Sequence, residues 1–265
     1  MRRTLSILPT LFRVGLAEAT AYRAELVIWI LSTTMPLIML PLWQAVAESG
    51  PVHGYDGDRF VAYFLGAFVV RQLTAVWAAW QINQDIRSGT LALRLLRPLH
   101  PFWAYAVDSV APMPMRLVIA LPLAIVALLA TDGRWLVHDV ASALLLPLAL
   151  LGAWSLSFAA NLLIGALGLL LTQSLKLMDA WLAGYFVLSG YLVPLAVFPP
   201  WLAWLPAWTP FRYQLSFPVE LMTGGLTYPD ALPLLAAQWT WVLLLAGSTA
   251  VIWKLGLRRL AVVGG

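Results

Sequence analysis

Six stretches of the chain are dominated by apolar residues and contain no acid: 26 to 47, 60 to 82, 109 to 130, 140 to 171, 180 to 198 and 231 to 253. Each comes to the roughly 20 residues that a helix needs to cross a bilayer. The period-two alternation of a barrel strand is absent, and a helix satisfies its backbone N–H and C=O groups within the segment, as hydrocarbon demands. The pattern predicts an all-α polytopic membrane protein, six transmembrane helices forming one domain over residues 1–265. The fourth stretch exceeds one straight crossing, so Pro147, Gly152, Gly165 or Gly168 is expected to accompany a tilt, a kink or a cytosolic extension.

Three further segments are neither spans nor ordinary polar loops. Over residues 1–25, Leu8, Leu11, Phe12, Gly15, Ala19 and Tyr22 recur at helical spacing, while Arg2, Arg3, Arg13, Glu18 and Arg23 fall mostly elsewhere. That predicts an amphipathic helix on the cytoplasmic membrane surface, either a plain anchor or an elbow that also touches a partner. Because no short apolar core precedes a small-residue cleavage site, this segment is expected to stay on the mature protein. The connection NQDIRSGTLALRLLRPLHPFWAY, residues 83–105, carries Ile86, Leu91, Leu93, Leu95 and Leu96, yet Asp85, Arg87, Arg94, Arg97 and two prolines forbid a span. So apolar a loop needs a covering surface, the protein's own spans or a partner. Gly89 and Thr90 read as a helix stop and the start of a short second helix that Pro98 and Pro101 end. After Pro199 and Pro200, Trp201, Trp204 and Trp208 fall at i, i+3 and i+7. They predict a single Trp-bearing helical face at the headgroup level, in an interfacial loop or in a partly re-entrant external hairpin between spans five and six.

Composition makes lipid the main solvent. Hydrophobic residues are 62% of the chain and charged residues 11%, against roughly a quarter charged in a soluble domain. The net charge of +4 is scattered at the ends of apolar runs rather than gathered on one face, so no nucleic-acid partner is expected. Orientation is what those charges report. One set of alternate connections holds Arg2, Arg3, Arg13, Arg23, Arg87, Arg94, Arg97, Lys176, Lys254, Arg258 and Arg259; the other holds only Arg59, Arg134 and Arg212. Positive-inside logic then puts both termini in the cytoplasm.

Candidate chemistry is sparse. With no cysteine and three dispersed histidines there is no disulfide framework, thiolate site or ligand cluster. The strings G-x-x-x-x-G-K-[ST], H-E-x-x-H and G-x-S-x-G are absent, as is a D-x-x-D pair at the interface, so no catalytic or metal-binding residue is expected. Spans without carboxylates also argue against an ion-coupled carrier. Within the spans, Arg71 and Gln72 fall in the middle of the second, and Arg116 eight residues into the third. A cation there either faces a substrate path or is held structurally, for instance beside a polar group such as Asn161. These four are the candidates for a translocation path. What remains is a membrane subunit driven from outside, with a non-transporting scaffold or assembly factor, or a lipid-modifying enzyme, as the alternatives.

Six spans, an amphipathic N-terminal helix and the string Asp85-Ile86-Arg87-Ser88-Gly89-Thr90-Leu91, running on to Leu95-Leu96-Arg97-Pro98-Leu99, resemble the permease subunits of bacterial type-2 ABC exporters. The resemblance covers the whole chain. It implies a cytoplasmic coupling helix that docks on a separate ATPase subunit, with Asp85, Ile86, Arg87, Gly89, Thr90, Leu91, Arg94, Leu95, Arg97 and Pro98 as the coupling residues. It further implies two ATPase copies carrying the ATP and Mg²⁺, no cofactor on this chain, a second permease that is identical or different, and a multi-pass place among the lipids of the bacterial inner membrane.

Overall fold

A computed structural model describes residues 2–21, 31, 33–130 and 139–263. The part of the expected first span before Leu31, and nearly all of the expected outer loop at 131–139, lie outside these residues. Every regular element described is a helix, and the one strand-like feature is an isolated bridge between Val52 and Tyr55. Four helical stretches are long and apolar enough to cross a membrane: Gly57–Arg87, Pro101–Ile125, Val140–Leu167 and Tyr228–Arg259.

In chain order the elements are α1 (Arg2–Ala21), α2 (Met35–Ala47), α3 (Gly57–Thr74), α4 (Ala78–Arg87), α5 (Thr90–Leu95), α6 (Pro101–Val110), α7 (Met113–Ala130), α8 (Val140–Leu167) and α9 (Leu175–Leu188). After short 3₁₀ turns at Leu195–Val197 and Leu205–Trp208 come α10 (Phe211–Gln214), α11 (Ser216–Met222) and α12 (Tyr228–Val263). Helix α3 is the axis of the molecule, with thirteen of its eighteen residues buried. Asp56 caps its first turn by accepting from the Arg59 N–H, 2.8 Å away, which satisfies one of the free donors at that end.

The neighbours of this axis alternate in direction. Trp43 of α2 stacks on Phe60 while Leu37 packs near Phe68, so α2 runs antiparallel to α3. Helix α7 is also antiparallel, because Arg116 meets Ala75 and Ala120 packs with Phe68. Helix α8 is parallel, since Asn161 reaches Ala79 and a Cβ on Gly165 would collide with Ile82. From Ser174 beside Asn83, through Tyr185 beside Arg71, to Gly190 beside Tyr63, the chain around α9 runs antiparallel along the whole of α3 and α4. Helix α12 lies parallel to α8: Gln238 donates to the Ala149 carbonyl and Thr249 to that of Ala159.

Glycine places α8 and α12 close together. Helix α8 is one unbroken run of 28 residues despite Pro147. A Cβ on Gly152 would overlap the Gln238 side chain, which is fully buried and also donates to the Tyr213 carbonyl at 2.8 Å. In lipid such close approach supplies the packing that the hydrophobic effect supplies in water.

Two expectations are corrected. Pro101 does not end a helix; it opens α6, where the missing N–H of proline is harmless, and the His100 ring nitrogen accepts from the Phe102 N–H at 3.3 Å. Partial burial lowers the His100 pKa, favouring the neutral ring that can accept. The single α-helix expected to stack Trp201, Trp204 and Trp208 does not form, because Pro199, Pro200, Pro206 and Pro210 split the segment into turns and a 3₁₀ run. All three indoles are nonetheless exposed.

Candidate functional site

The strongest polar constellation lies at the end of α4. Asp85 is buried although its neighbours Gln84 and Arg87 are exposed. Gly89 takes φ +75°, a left-handed conformation that turns the chain back on itself and lets α5 start at Thr90. The turn delivers three partners to one carboxylate. Thr90 Oγ1 donates to Asp85 Oδ1 at 2.8 Å, the Tyr105 hydroxyl donates to Oδ2 at 2.6 Å, and Arg94 Nε lies 2.8 Å from Oδ2. The Arg94 guanidinium also lies over the Tyr105 ring, 5.0 Å from its centroid. With charge-assisted bonds on both oxygens, α4, α5 and α6 are pinned to one point. Leu91 completes the attachment from below, fully buried in a cluster with Ile82, Leu162 and Trp253.

The outward side of the same unit is unlike its base. Leu93 and Leu96 are 62% and 84% exposed, with Arg87, Arg97 and Pro98 exposed around them. Beside it, a cleft of about 430 Å³ runs between α4 and the start of α9, walled by Trp80, Gln84, Arg87, Arg94 and Leu175.

About 14 Å from Asp85 along the axis, the second crossing is broken. Residues Ala75–Trp77 leave the helix, with Ala75 in an extended conformation, and no proline causes it. The freed backbone groups find side chains: Arg116 Nη1 donates to the Ala75 carbonyl at 3.2 Å, and the Ala79 N–H donates to Asn161 Oδ1 at 3.2 Å. A helix can be interrupted at this depth only where such partners exist. Arg71 occupies the last turn of α3, its guanidinium 5.1 Å from the centre of the Tyr185 ring. Gln72 points elsewhere, donating to Thr33 Oγ1 at 2.8 Å.

The match to known proteins spans nearly the whole chain: residues 27–264 fit the model of the ABC-2 family transporter proteins. The chain belongs to the ABC-2 transporter family. No curated protein matches it in sequence. Membership makes it the membrane component of an ABC transporter, a multi-pass permease of a transporter that includes an ATPase.

In this ABC-2 permease the residues expected to couple fall on one compact unit, with Asp85, Thr90, Leu91 and Arg94 forming its base and Arg87, Gly89, Arg97 and Pro98 facing outward. The four residues expected along a path divide. Arg71 and Asn161 line one small cavity, whereas Gln72 and Arg116 are engaged with Thr33 and Ala75. Sequence reasoning passed over Tyr105, which completes the Asp85 site, and Tyr185 and Gln214, which share the cavity with Arg71. A buried acid in an apolar loop signals that partners exist, but nothing in the chain singles out a tyrosine twenty residues on.

Proposed function

We propose that this permease is the membrane half of an ATP-driven exporter and that a separate ATPase engages it on the α4–α5 unit. The observation that carries the reading is a helical knob with a base fixed through Asp85 and an outer face of exposed leucines rimmed by arginines. Apolar contact at the centre with charge at the edge is how specific protein surfaces meet. Asp85, Ile86, Arg87, Gly89, Thr90, Leu91, Arg94, Leu95, Arg97 and Pro98 form this coupling element. Helix α4 then acts as a lever between α5 and the break at Ala75–Trp77, so ATP-driven movement of the ATPase tilts α4 and alters the cavity at Arg71. Arg71 and Asn161 line the path, and Gln72 and Arg116 hold its walls. A ligand shifts such an equilibrium only by its differential affinity, which here is ATP and Mg²⁺ bound to the partner.

Two ATPase copies and two permeases, identical or different, make up the transporter in this reading, and substrate moves outward across the inner membrane. Six crossings with both termini on one side are supported by the directions of the helices, and the excess of Lys and Arg on that side supports its being the cytoplasm. The parallel course of α3–α4, α8 and α12 requires one return crossing in each gap, supplied by α6–α7 and by α9 with the turns after it. A partly re-entrant hairpin over 199–230 is supported by α11, five of whose seven residues are buried.

Gentle purification from the native membrane tests the coupling. An ATPase should accompany the wild-type permease and be lost from Asp85→Lys and Gly89→Pro variants that still insert and remain folded. Undiminished co-purification with both variants would show that α4–α5 is not the docking element; a folded wild-type protein without any ATPase would favour the scaffold.

A further inference from the structure

The cavity at the break in the second crossing is lined by hydrogen-bond donors that have nothing to donate to. Arg71 Nε, the Tyr185 hydroxyl and Gln214 Nε2 are all buried, and none makes a hydrogen bond of ordinary geometry, although the Arg71 guanidinium lies against the Tyr185 ring. Asn161, on the same wall, is already committed, accepting from the Ala79 N–H and donating to the Ser157 carbonyl at 3.0 Å. What is left over is donors with a positive charge among them. Among the described residues no carboxylate lies within ion-pair distance of Arg71. The acid of α9, Asp179, is exposed and lies six residues from Tyr185, about 9 Å along the helix. Arg116, held at Ala75 one turn beyond Arg71, adds a second cation. A cationic group at this depth is costly until it is neutralised, and unpartnered buried donors carry a cost of their own.

An acceptor with negative charge removes both costs at once. The free volume is about 30 Å³, a space for one or two waters and so for the head of a carboxylate, not for a whole amphiphile. Its lining includes the half-buried Trp77, Trp80 and Trp181, flat apolar surfaces against which a tail can lie. We propose that Arg71, Tyr185 and Gln214 bind the oxyanion head of an amphiphile, a carboxylate or a phosphate monoester, with its apolar portion against these tryptophans. This deepens the transport reading by naming the chemical class that is carried, and it rests on Arg71 lining the path.

The test uses the whole permease, without ATPase, in an uncharged maltoside micelle. Its intrinsic tryptophan fluorescence is quenched with 11-bromoundecanoate, with the corresponding bromoalkyl phosphate, and with 11-bromoundecanol. The two anions should quench saturably and at least about tenfold more tightly than the alcohol, a difference of the size expected for a charge-assisted contact. Arg71→Met should bring the anions to the level of the alcohol, and Arg71→Lys should restore part of the difference. Tyr185→Phe removes a hydroxyl that makes no hydrogen bond of ordinary geometry, so it leaves the fold intact, and it should weaken anion binding by about two- to fivefold. Saturation by only one of the anions would assign the headgroup. Equal quenching by anions and alcohol, or unchanged anion binding in both Arg71→Met and Tyr185→Phe, would overturn the site. Displacement of the bromoundecanoate by millimolar inorganic phosphate would overturn the amphiphile, leaving a site for a free oxyanion. None of these outcomes depends on docking at α5, so the coupling proposal stands or falls separately.

Discussion

At the scale of single residues, Asp85 gathers three side-chain partners, two from α5 and one from α6. Removing it leaves the buried Tyr105 hydroxyl and the half-buried Arg94 without their acceptor. Asp85→Ala should therefore destabilise the permease by about 2–3 kcal/mol, toward the lower end for a partly buried ion pair. Asp85→Asn keeps one acceptor oxygen, for Thr90, but sets an NH2 group where Oδ2 accepted from Tyr105 and Arg94, so a loss of about 1–2 kcal/mol is expected. Thermal unfolding in detergent of both variants, alone and combined with Arg94→Ala, separates the pair from its surroundings; an additive double mutant would show that the two residues do not interact. Gly89 is constrained in a different way. A Cβ there meets no neighbour, so Gly89→Ala tests the left-handed backbone alone, at about 1–2 kcal/mol.

At the scale of elements, α6 starts on a cap with a built-in pH response. Burial lowers the His100 pKa, so the unfolded chain, with its ordinary value of 6.5, binds a proton more readily than the folded one. The contribution is complete above pH 6.5 and is lost as pH falls from there toward the folded value. The melting temperature should drop between pH 7.5 and 5.5 by more in the wild type than in His100→Asn, which keeps a cap without titrating. An equal drop in both proteins would exclude this cap as the cause. Helices α8 and α12 are joined by contact rather than by charge. Because a Cβ at Gly152 would strike Gln238, whose amide bridges the Ala149 and Tyr213 carbonyls, Gly152→Ala should cost about 1–3 kcal/mol. A melting temperature equal to that of the wild type would mean that Gln238 has another rotamer available.

At the scale of the whole molecule, the knob at α5 and the tryptophans at 201–208 lie at opposite ends of one bundle. The chain has no cysteine, so single cysteines report their own side of the membrane without background. Leu96→Cys, at a position 84% exposed, should react with an impermeant maleimide only in inverted vesicles, and Trp201→Cys, at one 73% exposed, only in intact spheroplasts. Labelling of both from the same side would contradict the six-crossing course. Exposed leucines and valines on α7, α8 and α12, such as Val118, Leu144 and Leu243, give these helices the apolar surface that a bilayer requires.

What the chain by itself determines is the set of properties that depend on local composition. Long acid-free apolar runs demand helices, and Gly89 followed by Thr90 turns α4 into α5. The motif around Asp85 was legible for the same reason, because it is contiguous. Tertiary structure alone decided which groups meet. The break at Ala75–Trp77 has no proline to announce it and exists because Arg116 and Asn161, from two other crossings, satisfy its backbone. The proline-rich segment after residue 198 lost its expected helix to missing N–H donors, while Tyr105, Tyr185 and Gln214 acquired their places only through packing. In a medium without water every freed polar group must find its partner within the protein. Which residue answers is fixed by three-dimensional proximity, which no spacing along the chain records.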